Sequence, residues 1–412
     1  MSRRSGIAGA ILLAGIALGG CETQDIEAAR NVLEGAQLVI VSMGNSFASG
    51  EGNPDVLATA NESAKWQENA AFASGLCHRS AINAHRFAVA AVTDAWTLSD
   101  EEIYASFACS GASTRFGLRL SRRGNANICQ LPAPAAPPSP YCGEGQIATA
   151  KAWAEDPENG VMRIDVVILS IGLNDLGFGS IVKACVTPKP TPFHPDCHQD
   201  PGITEMLQHG CTDAQDDDDP SDLPTGCGGI FRSAYGGFDR VQGRVEREIR
   251  RIREELDPRH ILLVGYPDPS RNENGNFCNR YNENFIAGID VLTGQVNPGG
   301  TGIGWMAIPF GAATSEVTGA ESRFAFEEVL TPLNEILADA AAAEGAHFVD
   351  GLAALTREHG VCSSDPWFHG FKSSFARQDD EQGVLHPNQA GHEAMAAPIE
   401  AKLRAVLGLP PA

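Results

Sequence analysis

The chain has 412 residues, 43% of them hydrophobic and 20% charged, enough for one large or two ordinary domains around a sizeable core. Thirty basic side chains against 52 acidic ones leave a net charge of −22, which excludes the basic face that nucleic acid requires and disfavours adsorption to anionic headgroups. Beyond solubility, the acidity selects no substrate.

The N-terminus reads as a targeting segment rather than structure. Arg3 and Arg4 open it, a short apolar run extends from Gly6 to Leu18, and Gly19-Gly20-Cys21 closes it. The run is too short for a permanent bilayer-spanning helix, and no other segment reads as transmembrane. Small residues before a cysteine resemble a bacterial lipobox; an ordinary signal peptide with Cys21 incidental is the other reading. The lipobox implies a signal peptide over 1–20, a lipidated Cys21 and a tether over 21–36. The product is an exported, membrane-anchored lipoprotein. Glu22 after the cysteine points, by the same resemblance, to the periplasmic face of the outer membrane or the cell surface. Of eleven cysteines, the ten besides Cys21 then lie in an oxidising compartment, where an even number favours disulfides. The cluster HPDCH (194–198) with Cys211 and Cys227 matches no standard zinc spacing, and no metal is expected.

Five apolar runs follow as strand candidates: 37–44, 102–109, 164–172, 260–267 and 346–351. Their near-continuous Val, Ile and Leu content fits parallel strands covered on both faces. Between them, Phe238, Val241, Val245, Ile249, Ile252 and Leu256 recur at helical spacing over 238–256. A second helix is expected over Phe326–Ala343, with Pro332 marking its first turn or a kink. Strands alternating with helices mean a layered α/β fold. Residues 131–148 and 186–237 fit no element. The latter, rich in proline and holding Asp216–Asp219 and three cysteines, reads as a stapled insertion overhanging the sheet's carboxyl end.

The first strand ends in VSMGNSFASGEG (41–52). Glycine and asparagine tolerate positive φ, so a tight turn is the bland reading of this stretch. The sharper reading is a serine nucleophile at a parallel strand's carboxyl end, where open α/β sheets place their sites. A nucleophilic serine needs a base and oxyanion donors. His386 in LHPNQAGH is the candidate base. The glycine-containing turns ACSGAS (108–113) and IGLND (171–175) offer backbone donors, and Asn174 adds an amide.

In order and residue content these blocks resemble the SGNH (GDSL-type) hydrolases, and most closely the disulfide-rich secreted bacterial lipases and esterases. The motifs are GNSFASGEG, CSGA, GLND and HPNQAGH, with CHRS (77–80), FVDG (348–351) and HGVC (359–362). The resemblance implies a single domain over 37–412, folded as a three-layer α/β/α sandwich on a five-stranded parallel, flavodoxin-like sheet. It assigns Ser46 as nucleophile and His386 as base. The oxyanion falls to the Ser46 and Gly111 N–H groups and the Asn174 amide. It pairs Cys77 with Cys109 and Cys278 with Cys362, with Cys129–Cys142 as a local staple. Cys185, Cys197, Cys211 and Cys227 keep three connectivities open.

The chain departs from the family pattern twice. Asn45 stands where an aspartate usually precedes the serine, and Gly383 stands where the triad acid usually lies, three residues before the histidine. The expectation is therefore a Ser46–His386 dyad whose imidazole is oriented by a backbone carbonyl from 382–385, not by Asp379, Asp380 or Glu381. The expected activity is hydrolysis of carboxylic esters, lipid or acylated glycan, by a monomer without a cofactor. The rival expectation is a degenerate module that binds acylated glycans or lipids in the same cleft.

Overall fold

The computed structural model describes residues 38–54, 77–94, 103–120, 144–186, 196–210, 237–279, 315–378 and 380–412, with short strand segments at 281–283, 288–289 and 296–297. Cys21, Cys129, Cys142, Cys211, Cys227 and Asp379 lie outside the described residues, as do the N-terminal signal and tether.

Each expected strand run contains a strand: β1 Val39–Gly44, β2 Ile103–Ser106, β3 Val166–Ser170, β4 His260–Val264 and β5 His347–Val349. All pair in parallel, in the order β2-β1-β3-β4-β5. Every residue of β1 and β3 is buried, as expected of inner strands between two helical layers. Two small antiparallel pairs lie apart from this sheet, Tyr281–Glu283 with Ser315–Val317 and Gly288–Ile289 with Val296–Asn297.

The strand order fixes the layers. From β1 the chain moves one way to β2, carrying α2 (Ala84–Asp94), after the single turn α1 (Ser46–Ser49). It then crosses back to β3 and proceeds the other way, carrying α3 (Gln146–Glu155), α6 (Phe238–Leu256) and α8 (Thr331–Ala343). Right-handed crossovers place these two sets on opposite faces. The contacts agree: α6 packs on α3 and α8, whereas the last helix α10 (Gln389–Val406) returns to pack on α2. The direction reverses between β1 and β3, the switch point at which such sheets open a crevice beyond their strand ends.

Helix α6 spans the expected residues and buries Val241, Val245, Ile249, Ile252 and Leu256. The expected helix over 326–343 instead begins earlier, at Gly319, and comes in three pieces. A Thr318–Glu321 capping box opens α7 (Gly319–Phe324), a π-helical stretch follows over Ala325–Leu330, and α8 then begins with Pro332 in its first turn. Pro332 has no N–H and would clash with the carbonyl four residues back, so the ladder widens ahead of it, with Thr331 N–H reaching Phe326 O. The described residues of the 186–237 stretch hold helices that were not expected. They contribute the end of α4 (Phe178–Val186), and Asp200 caps α5 (Pro201–His209), which buries Ile203, Met206 and Leu207.

The expected bridges Cys77–Cys109 and Cys278–Cys362 are both formed, with Cα separations of 4.1 and 5.8 Å. Cys185 pairs with Cys197, one of the three connectivities left open by the sequence.

Three imidazoles are buried in this fold and held neutral. Burial pushes His85 and His392 down to about 3, and His369 down to about 4, from an ordinary 6.5. A histidine whose folded pKa is depressed contributes stability that is complete above its unfolded pKa and is lost as pH falls towards the folded one. Each removes up to about 1.4 kcal/mol per pH unit in that window. Buried Glu248, pushed up to about 7, and Asp380, also raised by burial, act in the opposite sense, while His260, His347 and His386, lowered by burial, act with the three. The denaturant midpoint followed by circular dichroism should therefore fall between pH 6.5 and pH 4.5. A midpoint flat over that range would contradict the assignment of neutral histidines.

Candidate active site

The Ser46 turn begins where Gly44 of β1 pairs with Ser170 of β3. Gly44 has φ 128°, and a Cβ there would lie 2.1 Å from the Ser170 carbonyl oxygen, so only glycine fits. The Gln146 side chain clamps it on both sides, accepting from Gly44 N–H at 2.7 Å and donating to its carbonyl at 2.8 Å. Asn45 N–H donates to Ser170 O at 2.9 Å, and the Asn45 carboxamide then caps α1 by accepting from Phe47 N–H. The same carboxamide donates to the Tyr266 hydroxyl at 2.7 Å, and that oxygen also accepts from Leu173 N–H at 3.4 Å. Asn45 is thus donor and acceptor at once, which an ionised aspartate in its place would not be. This accounts for the first departure: the residue ties the serine turn to the Asn174 turn through a buried tyrosine, without burying a charge.

Ser46 follows immediately, its Oγ 2.7 Å from His386 Nε2. On the other side of the ring, His386 Nδ1–H donates to the Val384 carbonyl at 3.1 Å, so the tautomer leaves Nε2 as the acceptor facing the serine. The loop that does this is tightly held. Leu385, at φ 63°, is kept in the left-handed region by its N–H bond to His369 O, and His369 N–H bonds back to His386 O, both at 2.8 Å. Asn388 caps α10 directly afterwards, accepting from Gly391 N–H. Burial lowers the His386 pKa below its ordinary value, opposed by the charge of Glu51 and by bonds to the Val384 and Gly383 carbonyls. Among the described residues no carboxylate lies within 4.0 Å of the His386 ring nitrogens; Asp380 and Glu381 are not its partners.

The expected donors lie on the turns that follow the two strands flanking β1. The Cys77–Cys109 bridge and the Ser110 N–H bond to Cys77 O fix the second block, leaving Gly111 at φ 73° with its N–H unbonded among the described residues. Asn174 gives one amide hydrogen to Ala112 O at 2.9 Å, which locks its side chain onto that block and leaves the second hydrogen to serve a ligand. Asp175 beside it is bonded by the Thr114 N–H and hydroxyl, so the two turns are joined twice.

Two features escaped the sequence reading. Position 383 has no room for the family acid: a Cβ on Gly383 would come within 2.8 Å of Ser374 Oγ and 3.0 Å of Gly52 Cα. Against that glycine packs Gly52, and beside Gly52 stands Glu51, a wholly buried carboxylate. Its two oxygens lie 2.8 and 2.9 Å from His78 Nδ1, and it also accepts from the Ser110 hydroxyl and from Gln378 Nε2 at 2.8 Å. Burial alone would raise its pKa. The charge and hydrogen bond of His78, the pull of His386 and the Ser110 bond outweigh burial and bring it to about 2. The only sequence signal was the GEG triplet at 50–52, which reads as turn glycines around a solvated acid.

Beside Val384 and Leu385 lies a narrow, almost wholly apolar cavity walled by Phe178, Ile181, Val329, Leu330 and Phe371. Of the HPDCH cluster, His194 lies outside the described residues; Cys197 is oxidised with Cys185, while Asp196 and His198 group with Glu321 to within 4.8 Å. The Glu321 oxygens already accept from Thr318 and from Cys197 N–H, as its helix-capping place requires.

Among solved structures, the chain is similar to phospholipase A1 from Streptomyces albidoflavus NA297, at 17% identity and TM-score 0.45 over 88% of this chain and 98% of that one. It is similar also to an extracellular lipase from Streptomyces rimosus, at 15% identity and TM-score 0.45 over 90% and 99%. A family 2 carbohydrate esterase with a carbohydrate-binding domain, from Corynascus thermopiles (Myceliophthora fergusii), follows at 13% identity and TM-score 0.37 over 90% and 67%. No curated protein sequence matches the chain. Residues 42–394, the span that carries the serine turn, both donor turns and the histidine loop, match the model of the GDSL-like lipase/acylhydrolase family; the chain belongs to that family and is a carboxylic-ester hydrolase of the GDSL type.

Proposed function

We propose that the protein is an exported serine ester hydrolase that works through an acyl-enzyme on Ser46. The observation that carries this reading is the 2.7 Å contact between Ser46 Oγ and His386 Nε2, with the Val384 carbonyl on the opposite ring nitrogen. Ser46 attacks the ester carbonyl while His386 Nε2 takes its proton. The negative charge that develops on the carbonyl oxygen is received by the N–H groups of Ser46 and Gly111 and by the free amide hydrogen of Asn174. As the tetrahedral adduct collapses, His386 returns the proton to the departing alcohol. A water molecule, deprotonated by the same nitrogen, then attacks the acyl-Ser46 ester and releases the carboxylic acid. An almost wholly apolar cavity beside Val384 and Leu385, the residues just ahead of His386, supports a lipid or other acylated alcohol over a charged substrate. No cofactor takes part.

The disulfides support export, since such bridges persist in oxidising compartments. Among the described residues no helix is long and apolar enough to cross a membrane. Membrane attachment in this reading comes from acylation of Cys21, each buried CH₂ contributing about 0.8 kcal/mol. The enzyme acts as a monomer and binds no nucleic acid.

Ser46→Ala and His386→Ala should each lower turnover of a p-nitrophenyl ester by roughly 10⁴-fold or more, and a fluorophosphonate probe should label wild type but not the Ser46 variant. Asn174→Ala should cost on the order of 10²–10³ in kcat. Unchanged turnover in Ser46→Ala would overturn the assignment.

The pH dependence has a definite sign. The base must be neutral, and burial lowers the His386 pKa, so the acid limb of kcat/KM should fall below the ordinary imidazole value of 6.5. A limb above that value, measured by initial rates across pH 4–8, would mean that another group controls the step.

The tether is tested by fractionation. Cys21→Ser should move the protein from the membrane fraction to the soluble one, and an equally membrane-bound variant would exclude lipid at this position.

A further inference from the structure

Resting on the Ser46–His386 reading, we propose that the buried Glu51 carboxylate is a positioning residue that supplies, from the nucleophile's own turn, the negative charge an imidazolium at His386 requires. The Val384 carbonyl orients the ring but carries only a dipole. A protonated His386 in a dry site, formed as Ser46 gives up its proton, is disfavoured unless an anion faces it. The usual place for that anion is closed, because a side chain on Gly383 would collide with Ser374 Oγ and Gly52 Cα. Glu51 adjoins the residue that closes it.

The geometry keeps Glu51 ionised. It is fully buried, and each of its contacts comes from a donor: His78 Nδ1, the Ser110 hydroxyl and Gln378 Nε2. Three donors, one of them shared between both oxygens, meet an acceptor-only group and favour its ionised form. These donors come from three separate parts of the site: the CHRS segment, the residue before Gly111, and the end of α9 (Phe371–Gln378). Gln378 also accepts from Gly52 N–H at 2.9 Å, so the carboxylate and the Gly52–Gly383 contact are held by one side chain. A carboxylate that only fastened loops together would gain nothing from lying against the histidine loop. Here its charge and that of His386 stabilise one another.

The other titratable and charged neighbours of this pair are His78, His369 with Arg377 behind it, Asp380 and His392. His369 and His392 are buried and held neutral, so they supply no counter-charge. Asp380 bonds Gln378 and Gln382 rather than His386.

Glu51→Gln tests the idea because it removes the charge and keeps the shape. The new amide can donate to Ser110, whose hydroxyl rotates, and to His78 in its other tautomer, while its oxygen still accepts from Gln378. The expected result is a fall in kcat of about tenfold or more, together with an acid limb of kcat/KM displaced downward by on the order of one pH unit. Glu51→Asp, which keeps the charge but withdraws it by one methylene, should retain most of kcat and place the limb between the two. Near-UV circular dichroism establishes that each variant is folded. If Glu51→Gln does not fold, a limb in Glu51→Asp identical to that of wild type overturns the inference. A folded Glu51→Gln with an unmoved acid limb also overturns it, even if activity and melting temperature fall, because that pattern marks a structural role. Ser46→Ala separates the two readings: if that variant stays active the dyad itself is wrong, whereas an inactive Ser46→Ala beside an unmoved limb in Glu51→Gln removes only the role of Glu51.

Discussion

The site depends on the approach of β1 to β3 at Gly44 and Ser170. These residues are partners in a parallel register, and the backbone of Gly44 comes so near the Ser170 carbonyl that no side chain fits between them. The carbonyl then accepts from Asn45 N–H, which bends the chain out of the sheet and places Ser46 at the first position of a helical turn. Because the strand order reverses between β1 and β3, this bend opens into the crevice at the switch point rather than under a crossover helix. The positions of Gly111 and Asn174 follow from the same arrangement. Their turns leave the carboxyl ends of the two strands that flank β1, and Tyr266, just after β4, bonds Asn45 and the Leu173 amide together.

A triad places two tasks on one acid: orienting the imidazole and balancing its charge. In the reading proposed for this protein the tasks are separate. Orientation comes from a backbone carbonyl two residues from the histidine, in a loop whose strained Leu385 is held by paired bonds with His369. The charge lies across the site on Glu51, inside a ring of donors drawn from three segments. Gly383 and Gly52 are what this division requires of the backbone, since two chains pass where one side chain would otherwise point.

Much of this was legible in the sequence because it is written in local chemistry. Continuous apolar runs marked all five strands, the period of Phe238 to Leu256 marked α6 to the residue, and each motif glycine at 44 and 111 proved to need its positive φ. The bond of His386 to a backbone carbonyl was legible through an absence, the missing side chain at 383. What stayed hidden was set by distant partners. Nothing local distinguishes Glu51 from a surface acid, because its burial comes from Ser110, Gln378 and His78, up to 327 positions away. The π-helical stretch ahead of Pro332 is a compromise between a proline and a packed helix face, and propensity alone reads it as a helix start or a kink. In the 186–237 stretch, prolines and glycines outweighed a genuine start signal, Asp200-Pro201, with the Ile203, Met206 and Leu207 face behind it.

Burying a charge is costly unless it is fully hydrogen-bonded, and an acid at the Glu51 position is tolerable only because every neighbour donates to it. That requirement explains why the surrounding histidines differ in kind. His78 bonds the carboxylate directly, whereas His369 and His392, a little farther away, are held neutral by burial. A second cation beside His386 would compete with it for the same anion and depress its basicity, as the coulombic effect of His78 already does in part. With His369 and His392 uncharged, the field of Glu51 falls on His78, which bonds it, and on His386, which faces Ser46. The apolar packing around the loop is thus part of the electrostatics: it removes the alternatives, so that a single buried carboxylate and a single carbonyl dipole suffice to set the state of the base.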